Sequence, residues 1–406
     1  MKVLIIGGGG REHSLAAALA RDQHEIFVAP GNAGIAREFC CLPLLSITKV
    51  LSWCNENHPA FVLIGPEQPL AEGWADILAA AGIPCVGPCQ AAAKIESSKA
   101  FAKDLMSRSG IPTASHILFT SSDEARKFIQ EKRKYPLVIK ADALCAGKGV
   151  FIVSNEAEAL AALNAISGPV LVEEYLRGWE VSLFAISDGE NFQTTLFAQD
   201  YKQLEAGDKG PNTGGMGACC PVPEAEQYRA EIERSIVKPI LAGLKDEGCP
   251  YRGFLYCGLM ITAAGPKVLE FNCRLGDPEA QALLPLLQTT LTEVCEAVIQ
   301  RRVKDLNLVW SKQASVCVVL ASQGYPGRYR KDVPIDFIRE TNSLIRFSGV
   351  TAAANGLMTS GGRVLSLVGI GDNLEQARCM VYQDIEAVDF AGKYYRRDIA
   401  LRKNTL

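Results

Sequence analysis

The chain has 406 residues, of which 48% are hydrophobic and 21% charged, the composition of an ordinary soluble globular protein. At roughly 150 residues per domain, this length predicts about two to four domains. The formal net charge of −3 argues against nucleic-acid binding by bulk electrostatics, and no apolar run reaches the ~18 residues of a membrane span. The 14 cysteines lack metal-binding spacing and the 4 histidines are scattered, so we expect reduced thiols, no zinc site and a cytoplasmic protein.

Strand and helix patterns alternate along the first part of the chain. The strand-like runs are Lys2–Ile6, Glu25–Ala29, Phe61–Gly65 and Pro84–Gly87, and the helical segments are Arg11–Asp22, Thr48–Asn57, Pro69–Ala81 and Gln90–Ser109. This alternation predicts a doubly wound parallel sheet, which binds its ligand beyond the carboxyl ends of the strands. The loops GGGGREH, APGNAG and GPEQP stand at three of those ends and form the first candidate site.

The opening strand–GGGG–helix pattern fails two tests of a dinucleotide site. The spacing puts Glu12 or His13 where the third glycine belongs, and the second strand ends in VAPGN without an acidic residue. A helix N-terminus beside Arg11 instead favours a single phosphate, with a plain tight turn as the alternative. Glu67 in GPEQP suits a sugar hydroxyl or an amine, and it is equally compatible with a surface acid.

A smaller unit follows the break at SGIP, residues 109–112. We predict strands at His116–Thr120, Leu137–Ala141, Val150–Val153 and Val170–Tyr175, and helices at Asp123–Lys132 and Ala157–Ala165. Strands then dominate to about Asn272, around a helix near Glu224–Glu247, and a long helix at about Glu279–Arg302 follows. Beyond Lys312, strand patterns at Ala314–Ala321, Gly362–Ile370 and Tyr395–Ala400 surround a helix at Leu374–Ala387. The fold class is therefore α/β, and α+β in part.

The segment IKADALCAGKGVFIV looks like a phosphate-binding loop but is not a P-loop, because Gly149 and not Ser or Thr follows Lys148. Lys140 and Lys148 lie on adjacent predicted strands with glycine amides between them, so they can cover a polyphosphate. Lys140 directly follows the apolar run YPLVI, and its buried stem then needs an anionic partner. A solvated hairpin is the alternative.

Two further segments offer polar groups to a ligand. In VLVEEYLRGWEVS a strand ends at Glu173 and Glu174, where backbone groups can meet a purine edge and the later carboxylate of Glu180 can bind a ribose. Two adjacent acids are usually only a polar strand end, so that alternative stays open. GPNTGGMGA, from Gly210, is too polar and too flexible for a core, and its glycines favour backbone amides that face an anion over a plain linker.

PKVLEFNCRLGDPE, from Pro266, carries the sharpest pattern. In a strand, Glu270 and Asn272 share a face while Phe271 points to the other side. A carboxylate and an amide oxygen side by side suit Mg²⁺, which completes its shell with phosphate and water. Arg274 lies on the same face if the strand continues, where it can stabilise a transferring phosphoryl group.

In this order, these segments resemble the ATP-grasp superfamily and, within it, the phosphoribosylamine–glycine ligase family. The motifs that carry the resemblance are GGGGREH, APGNAG, GPEQPL, SSKAF, AGKGV, QDYK, GPNTGGMGA, GFLYCGLM, EFNCRLGDPE, GYPG, GGRVL and YYRRDIA. The resemblance implies an N-terminal phosphoribosylamine-binding domain at 1–108, a small lid domain at 109–174, a central domain with the metal site at 175–304 and a C-terminal α+β domain at 305–406.

The family reaction joins glycine to 5-phosphoribosylamine in purine biosynthesis, with ATP and Mg²⁺ or Mn²⁺, through glycyl phosphate. By resemblance, the metal is held by Glu270 and Asn272, and the transferred phosphoryl group and glycine are surrounded by Arg274, Asp200, Asn212, Thr213, Gly214 and Gly215. The residues implied for ATP are Lys99, Lys140, Gly147, Lys148, Gly149, Glu173, Glu174, Tyr175 and Glu180. Those implied for phosphoribosylamine are Gly9, Gly10, Arg11, Asn32, Gly34 and Glu67.

The chain departs from the family pattern in two places. ADALCAGKG replaces the usual ADGLAAGKG, which changes Ala143 and Cys145, and the stretch AISGPV at 165–170 is shorter than usual. We therefore expect an active enzyme with a weaker or faster-exchanging ATP site. The alternatives are another ATP-grasp enzyme, such as a formate-dependent transformylase or a carboxylase, and a catalytically idle nucleotide-binding protein. We expect a monomer or weak homodimer, with neither nucleic acid nor membrane as a partner and with transient contact to the preceding pathway enzyme.

Overall fold

The computed structural model describes residues 1–142 and 149–401. Its N-terminal part is a five-stranded parallel sheet in the order β3-β2-β1-β4-β5. The elements are β1 Lys2–Gly7, α1 Gly10–Ala20, β2 Glu25–Pro30, β3 Cys40–Cys41, α2 Ile47–Asn57, β4 Phe61–Ile64, α3 Glu67–Ala71, α4 Trp74–Ala80, β5 Cys85–Val86, α5 Gln90–Ser97 and α6 Lys99–Arg108. The strand order reverses between β1 and β4, so the loops GGGGREH and GPEQP meet at the switch point of the sheet.

The lid is a four-stranded antiparallel sheet in the order β6-β9-β7-β8, packed against two helices. Its elements are β6 His116–Phe119, α7 Ser122–Lys132, β7 Leu137–Ala141, β8 Val150–Val153, α8 Glu156–Asn164 and β9 Val170–Glu174. The predicted ATP contacts Gly147 and Lys148, and the altered positions Ala143 and Cys145, lie outside the described residues. The connection from α8 to β9 spans residues 165–169.

The central part is a second antiparallel sheet in the order β11-β10-β16-β17, with helices behind it. Its elements are β10 Trp179–Asp188, β11 Phe192–Thr194, β12 Gln199–Asp200, β13 Gln203–Glu205, β14 Lys209–Asn212, β15 Gly217–Cys220, α9 Arg229–Ile232, α10 Lys238–Asp246, β16 Arg252–Thr262, β17 Gly265–Asn272, α11 Glu279–Leu283 and α12 Leu291–Ile299. A 3-10 turn at Pro223–Tyr228 and a π-helical turn at Glu233–Val237 complete the predicted helical region near Glu224–Glu247.

The C-terminal part contains β18 Ala314–Ala321, β19 Pro334–Phe337, β20 Leu344–Phe347, β21 Val350–Ala353, β22 Gly356–Thr359, β23 Arg363–Gly371, α13 Leu374–Ile385 and β24 Val388–Asp389. One of its sheets has the order β12-β15-β18-β23-β20, so strands from both sides of the predicted boundary at 304 share hydrogen bonds. The four predicted domain ranges remain predictions. The α/β fold class is confirmed: a parallel N-terminal sheet is followed by a small lid sheet, a larger antiparallel sheet and an α+β C-terminal part. No described helix combines the length and apolar character needed to cross a membrane.

The prediction of one long helix at Glu279–Arg302 is wrong. α11 ends at Leu283, and α12 does not begin until Leu291. Pro285 lies in the intervening 3-10 turn, where its missing N–H cannot extend an α-helical ladder. Thr290 then caps α12 by accepting a hydrogen bond from the amide of Glu293.

The predicted strand at Tyr395–Ala400 is also wrong. Only Tyr394 pairs with a strand, through an isolated bridge to Ala321. The buried Arg396 binds Asp398, and a turn closes from Asp398 to Leu401, so the chain cannot stay extended. Two predicted N-terminal helices are interrupted as well: Pro69–Ala81 at Gly73, whose φ is +79°, and Gln90–Ser109 at Ser98, which is extended and caps α6.

Candidate functional site

Most of the predicted site residues line one cavity of about 1530 Å³ bounded by the lid, the central sheet and the N-terminal helices. Those that line it are Arg11, Glu67, Lys99, Lys140, Glu173, Glu174, Tyr175, Glu180, Asp200, Asn212, Thr213, Gly214, Glu270, Asn272 and Arg274. Those described outside its lining are Gly9, Gly10, Asn32, Gly34, Gly149 and Gly215. The cavity therefore gathers groups from segments that are distant in sequence.

The predicted metal pair lies at the end of β17. Glu270 and Asn272 are half-buried and line the cavity, whereas Phe271 between them is 2% exposed and packs in the core. With the Asn272 amide assigned in the orientation that satisfies its hydrogen bonds, its nitrogen donates to the carbonyl oxygen of Phe271 at 2.9 Å and to Glu96 Oε1 at 3.3 Å, and its oxygen faces neither acceptor. Two oxygens of the kind that bind hard cations thus stand on one face of the strand, as the period-2 pattern predicts.

Lys202, which the sequence analysis did not single out, lies between two of the predicted carboxylates. Its Nζ is 3.3 Å from Glu180 Oε2 and 3.6 Å from Glu270 Oε1. Burial would raise the pKa of Glu270, but Lys202 and the more distant Lys140 and Lys99 outweigh it, so the pKa is lowered and the carboxylate stays ionised. The position of Lys202 in QDYK, two residues after Asp200, is the one signal for this lysine that the sequence offers.

Arg274, two residues after β17, joins this part of the chain to helices α3 and α5 of the N-terminal part. Its Nε donates to Glu67 Oε2 at 3.2 Å, and its Nη2 donates to Glu96 Oε1 at 2.7 Å. The pKa values of the two carboxyl groups shift in opposite directions. Burial raises the pKa of Glu96 despite Arg274, whereas the pKa of Glu67 is lowered because Arg274 and Arg11 together outweigh its burial.

Glu96 was not predicted, yet it organises the residues around the metal pair. Besides Arg274, it accepts hydrogen bonds from the backbone amide of Cys273 at 2.7 Å and from its thiol at 3.1 Å. One buried carboxylate thus fixes the chain on both sides of Cys273. Glu96 falls in the helical pattern of α5, where the sequence alone gives no reason to expect a partner 177 positions away.

Two buried lysines, Lys140 of the lid and Lys103 of helix α6 in the N-terminal part, share one carboxylate. Lys103 Nζ is 3.1 Å from Glu173 Oε1, and Lys140 Nζ is 2.9 Å from Glu173 Oε2. Lys140 also donates to the carbonyl oxygen of Leu269 at 3.2 Å, which ties the lid to the strand that carries Glu270. The side chain of Glu173 therefore neutralises cations, and Lys103, missed by the sequence analysis, belongs to the same cluster.

The remaining predicted nucleotide residues surround this cluster. Glu174 accepts from the amide of Ser115 at 3.0 Å and from Lys267 at 3.3 Å, so its side chain has structural partners. The Tyr175 side chain lines the cavity and is 39% exposed. The carbonyl oxygen of Gly149 accepts the amide of Ala141 at 2.9 Å, which extends the pairing of β7 with β8 by one hydrogen bond.

The loop around GPNTGGMGA uses its amides within the protein. The amide of Thr213 donates to Lys202 O at 2.7 Å, that of Gly214 to Tyr325 Oη at 2.9 Å, and that of Gly215 to Thr213 Oγ1 at 3.0 Å. These amides thus have acceptors within the protein, and contact of this loop with an anion stays a prediction. Gly215 is required by its φ of +107° and by Pro278, whose Cδ lies 2.4 Å from the place of a Cβ.

The C-terminal part reaches this loop through Arg363 in GGRVL and Tyr325 in GYPG. Arg363 Nη1 donates to the carbonyl oxygens of Gly214, at 2.5 Å, and Asp277, at 2.7 Å. Beside the loop, burial raises the pKa of Asp200, and the carboxylate of Glu279 adds to the effect although Lys202 opposes it. Arg363 and Tyr325 are 149 and 111 positions from Gly214 in the sequence, so the sequence alone did not bring them together.

The loops of the N-terminal sheet are held mainly by each other. The amide of Gly9 donates to Glu12 Oε2 at 2.7 Å, and Arg11 Nε donates to Glu12 Oε1 at 2.6 Å. Asn32 donates to Gly8 O at 2.8 Å and accepts the amide of Gly34 at 2.8 Å, so its side chain orders the loop. Of the six residues predicted for the amine substrate, Arg11 and Glu67 line the large cavity.

Three domain models of one family match the chain in order. They are phosphoribosylglycinamide synthetase N domain at residues 1–96, ATP-grasp (A) domain at 97–280 and C domain at 315–402. A phosphoribosylamine–glycine ligase of Caldanaerobacter subterraneus subsp. tengcongensis is 45% identical over 415 residues, with 98% of this chain and 99% of that protein covered.

Two more proteins extend the comparison. The trifunctional purine biosynthetic protein adenosine-3 of Homo sapiens is 43% identical over 99% of this chain, which corresponds to 42% of that protein. The crystal structure of a phosphoribosylamine–glycine ligase from Thermotoga maritima matches with a TM-score of 0.87 at 35% identity, covering 98% of this chain and 100% of that chain. The similarity thus runs through both sequence and fold.

Proposed function

The chain belongs to the phosphoribosylglycinamide synthetase family, and we propose how the residues of its cavity divide the work of the family's reaction. It is an ATP-dependent ligase that joins glycine to phosphoribosylamine in purine biosynthesis. A carboxylate acylates poorly, so the γ-phosphoryl group of ATP first passes to glycine and ADP leaves. The amine nitrogen then attacks the carbonyl carbon, loses a proton and expels phosphate.

The contact between Lys140 and the carbonyl oxygen of Leu269, 3.2 Å long, carries this proposal. This contact brings the lysines of the lid beside the strand that ends in Glu270 and Asn272, so the groups proposed to bind phosphate and metal lie next to each other. Lys99, Lys140 and Lys148 neutralise the polyphosphate, with Gly147 and Gly149 in the same loop. Adenine lies against the backbone of Glu173–Tyr175, and Glu180 binds the ribose.

A divalent cation fits the donors at the end of β17. Glu270 offers an ionised carboxylate and Asn272 an amide oxygen, both hard ligands. In residues 1–142 and 149–401, no group of three or more His, Cys, Asp or Glu could hold a metal, so Glu270 and Asn272 would hold the ion together with ligands from outside the protein. Mg²⁺ or Mn²⁺ there supplies positive charge to the phosphates, and Mg²⁺ is the ion that we propose.

The acceptor side of the cavity takes the other two substrates. Arg274 stabilises the transferred phosphoryl group, and Asp200 with Asn212–Gly215 forms the wall around glycine. Arg11 and Glu67 meet phosphoribosylamine, while Gly9, Gly10, Asn32 and Gly34 shape the adjoining loops.

We also propose that the enzyme works in the cytoplasm, since the thirteen described cysteines are free thiols. We further propose that it is a monomer or weak homodimer in transient contact with the preceding enzyme.

Mg²⁺-dependent ADP release with glycine, with and without fresh phosphoribosylamine, tests the reaction. Release should require every component and yield glycinamide ribonucleotide. Glu270→Ala should abolish turnover while the protein stays folded, whereas Glu231→Ala, an exposed carboxylate near the start of β17, should leave it intact. Near-full activity of Glu270→Ala would remove Glu270 from the metal site.

A further inference from the structure

The hairpin β13–β14 leads into the loop at Asn212–Gly215, yet it is a two-stranded sheet of its own. Residues 205–211 are exposed, and an isolated two-stranded hairpin is marginally stable in water. Gln203, Gly207 and Asp208 nevertheless line the cavity. Something outside the hairpin must therefore hold this wall in place.

The support comes from residues 394–398, near the end of the described chain. Tyr394 Oη donates to Leu204 O at 3.0 Å, and Arg396 Nη1 donates to Gln203 O at 3.0 Å. On the opposite side of the turn, the amide of Gly207 donates to Asp398 Oδ2 at 2.8 Å. These contacts reach both the first strand of the hairpin and its turn.

Arg396 is the centre of this support. Its side chain is buried and binds Asp398 through two donors, at 2.8 and 2.7 Å, and Asp208 at 3.0 Å. Its guanidinium lies 5.0 Å from the centre of the Tyr201 ring. Tyr201 lies between Asp200 and Lys202, both of which line the cavity, so the cluster stands directly behind the wall.

The ion pairs explain why the arginine persists in this position. A buried guanidinium is costly unless it is paired and fully hydrogen-bonded. The carboxylates of Asp398 and Asp208 raise the pKa of Arg396, although its burial acts in the opposite direction. The guanidinium makes four hydrogen bonds to two carboxylates and a carbonyl, one more than the three donors of a lysine could make.

We propose that Arg396 is a positioning residue that holds the β13–β14 hairpin against the acyl-phosphate site and so keeps water from glycyl phosphate. The proposal rests on the assignment of Asn212–Gly215 to glycine under the proposed function. Without this support, water attacks the carbonyl carbon of glycyl phosphate, the bond to the phosphate oxygen breaks, and glycine and phosphate are released. ATP is then consumed without ligation.

The test compares Arg396→Lys with Tyr394→Phe, which removes only one hydrogen bond and guards against a folding defect. We expect the ratio of ADP to ligated product to rise above about one, and kcat/KM for glycine to fall about 10- to 100-fold in Arg396→Lys, since small displacements of a positioning wall have effects of this size. KM for ATP should stay near the wild-type value. Tyr394→Phe should show the same uncoupling to a smaller degree.

Arg378→Lys is the matched control. Arg378 binds the same segment, through the carbonyl oxygens of Ile399 at 3.1 Å and Arg397 at 2.7 Å, and not the hairpin. Arg378→Lys should keep the wild-type ratio of ADP to ligated product. Uncoupling as large as that of Arg396→Lys in this control would overturn the proposal. Wild-type ratios in Arg396→Lys and Tyr394→Phe would overturn it too. Asn212→Ala tests separately whether the loop at Asn212–Gly215 binds glycine. If this variant raises KM for glycine, that assignment holds although the role of Arg396 fails; if KM for glycine is unchanged, the assignment fails as well.

Discussion

Replacing Lys103 with Met tests the charge balance where helix α6 meets the lid. Lys103 shares Glu173 with Lys140, and it also donates to Thr113 Oγ1 at 2.7 Å. Burial lowers the pKa of Lys103 to about 8, since the attraction of Glu173 and the weaker one of Glu174 do not offset burial and the repulsion by Lys140. The three-residue cluster Lys103–Glu173–Lys140 therefore loses a positive charge as the pH rises through about 8.

The size of the effect follows from that pKa. At pH 7 a lysine with a pKa of about 8 is about 90% protonated, and at pH 9 it is about 10% protonated. If only the cationic form attracts the phosphates fully, the affinity for MgATP falls by up to about ninefold over this range. Lys103→Met lacks the charge at every pH, so its affinity at pH 7 should already equal the weakened value and should not fall further through this group.

Fluorescence titration of MgATP at pH 7, 8 and 9 measures this directly, without the other substrates. Lys127→Met, an exposed lysine on the lid helix α7, is the control for net charge and should follow the wild-type profile. A flat wild-type profile, or the same decline in Lys103→Met, would refute the reasoning. The wild-type titration at pH 7 also tests the weaker ATP site expected from Ala143, Cys145 and the short stretch at 165–170, which a sub-micromolar dissociation constant would contradict.

Two further predictions address the metal end and the N-terminal interface. Glu96→Gln should raise the Mg²⁺ concentration for half-maximal activity about 10- to 100-fold, because Glu96 orients the residues flanking Cys273. The exposed Glu56→Gln is the control, and a Mg²⁺ titration of Glu96→Gln equal to that of the control would count against this prediction. Phe347→Ala should lower the free energy of unfolding by about 3–5 kcal/mol in urea, because Phe347 is 4% exposed and stacks on His13 with ring centroids 5.7 Å apart. A loss no larger than that of half-exposed Phe337→Ala would contradict it.

The features predicted correctly from the sequence are those fixed by local geometry. Glu270 and Asn272 share a face because strand side chains alternate, whatever surrounds the strand. The parallel N-terminal sheet likewise follows from short apolar runs that alternate with helical ones. The failure at Glu279–Arg302 has an equally local cause, since Pro285 stands inside the predicted helix and its effect was underestimated.

The missed residues depend on contacts that have no local signature. Lys103 appears as one more lysine of a helix, and only the fold brings it to Glu173. In GPNTGGMGA, the amide of Gly214 donates to the hydroxyl of Tyr325 and that of Gly215 to the hydroxyl of Thr213 in the same loop. A glycine-rich loop is equally suited to close packing and to ligand contact, and its sequence does not distinguish them.

The C-terminal part is physically continuous with the site. Asp200 lies on β12, which pairs with β15, and β15 pairs with β18 of the C-terminal part through four residue pairs, from Gly217–Val318 to Cys220–Ser315. Removing everything beyond the predicted boundary at 304 would leave that edge of β15 without its hydrogen-bond partners, a costly change for strands that are fully buried. The same cut would remove Arg363, Tyr325 and Arg396. The wall that we propose for glycine thus depends on contacts with residues more than 100 positions away, and the C-terminal part that carries them supports this side of the cavity.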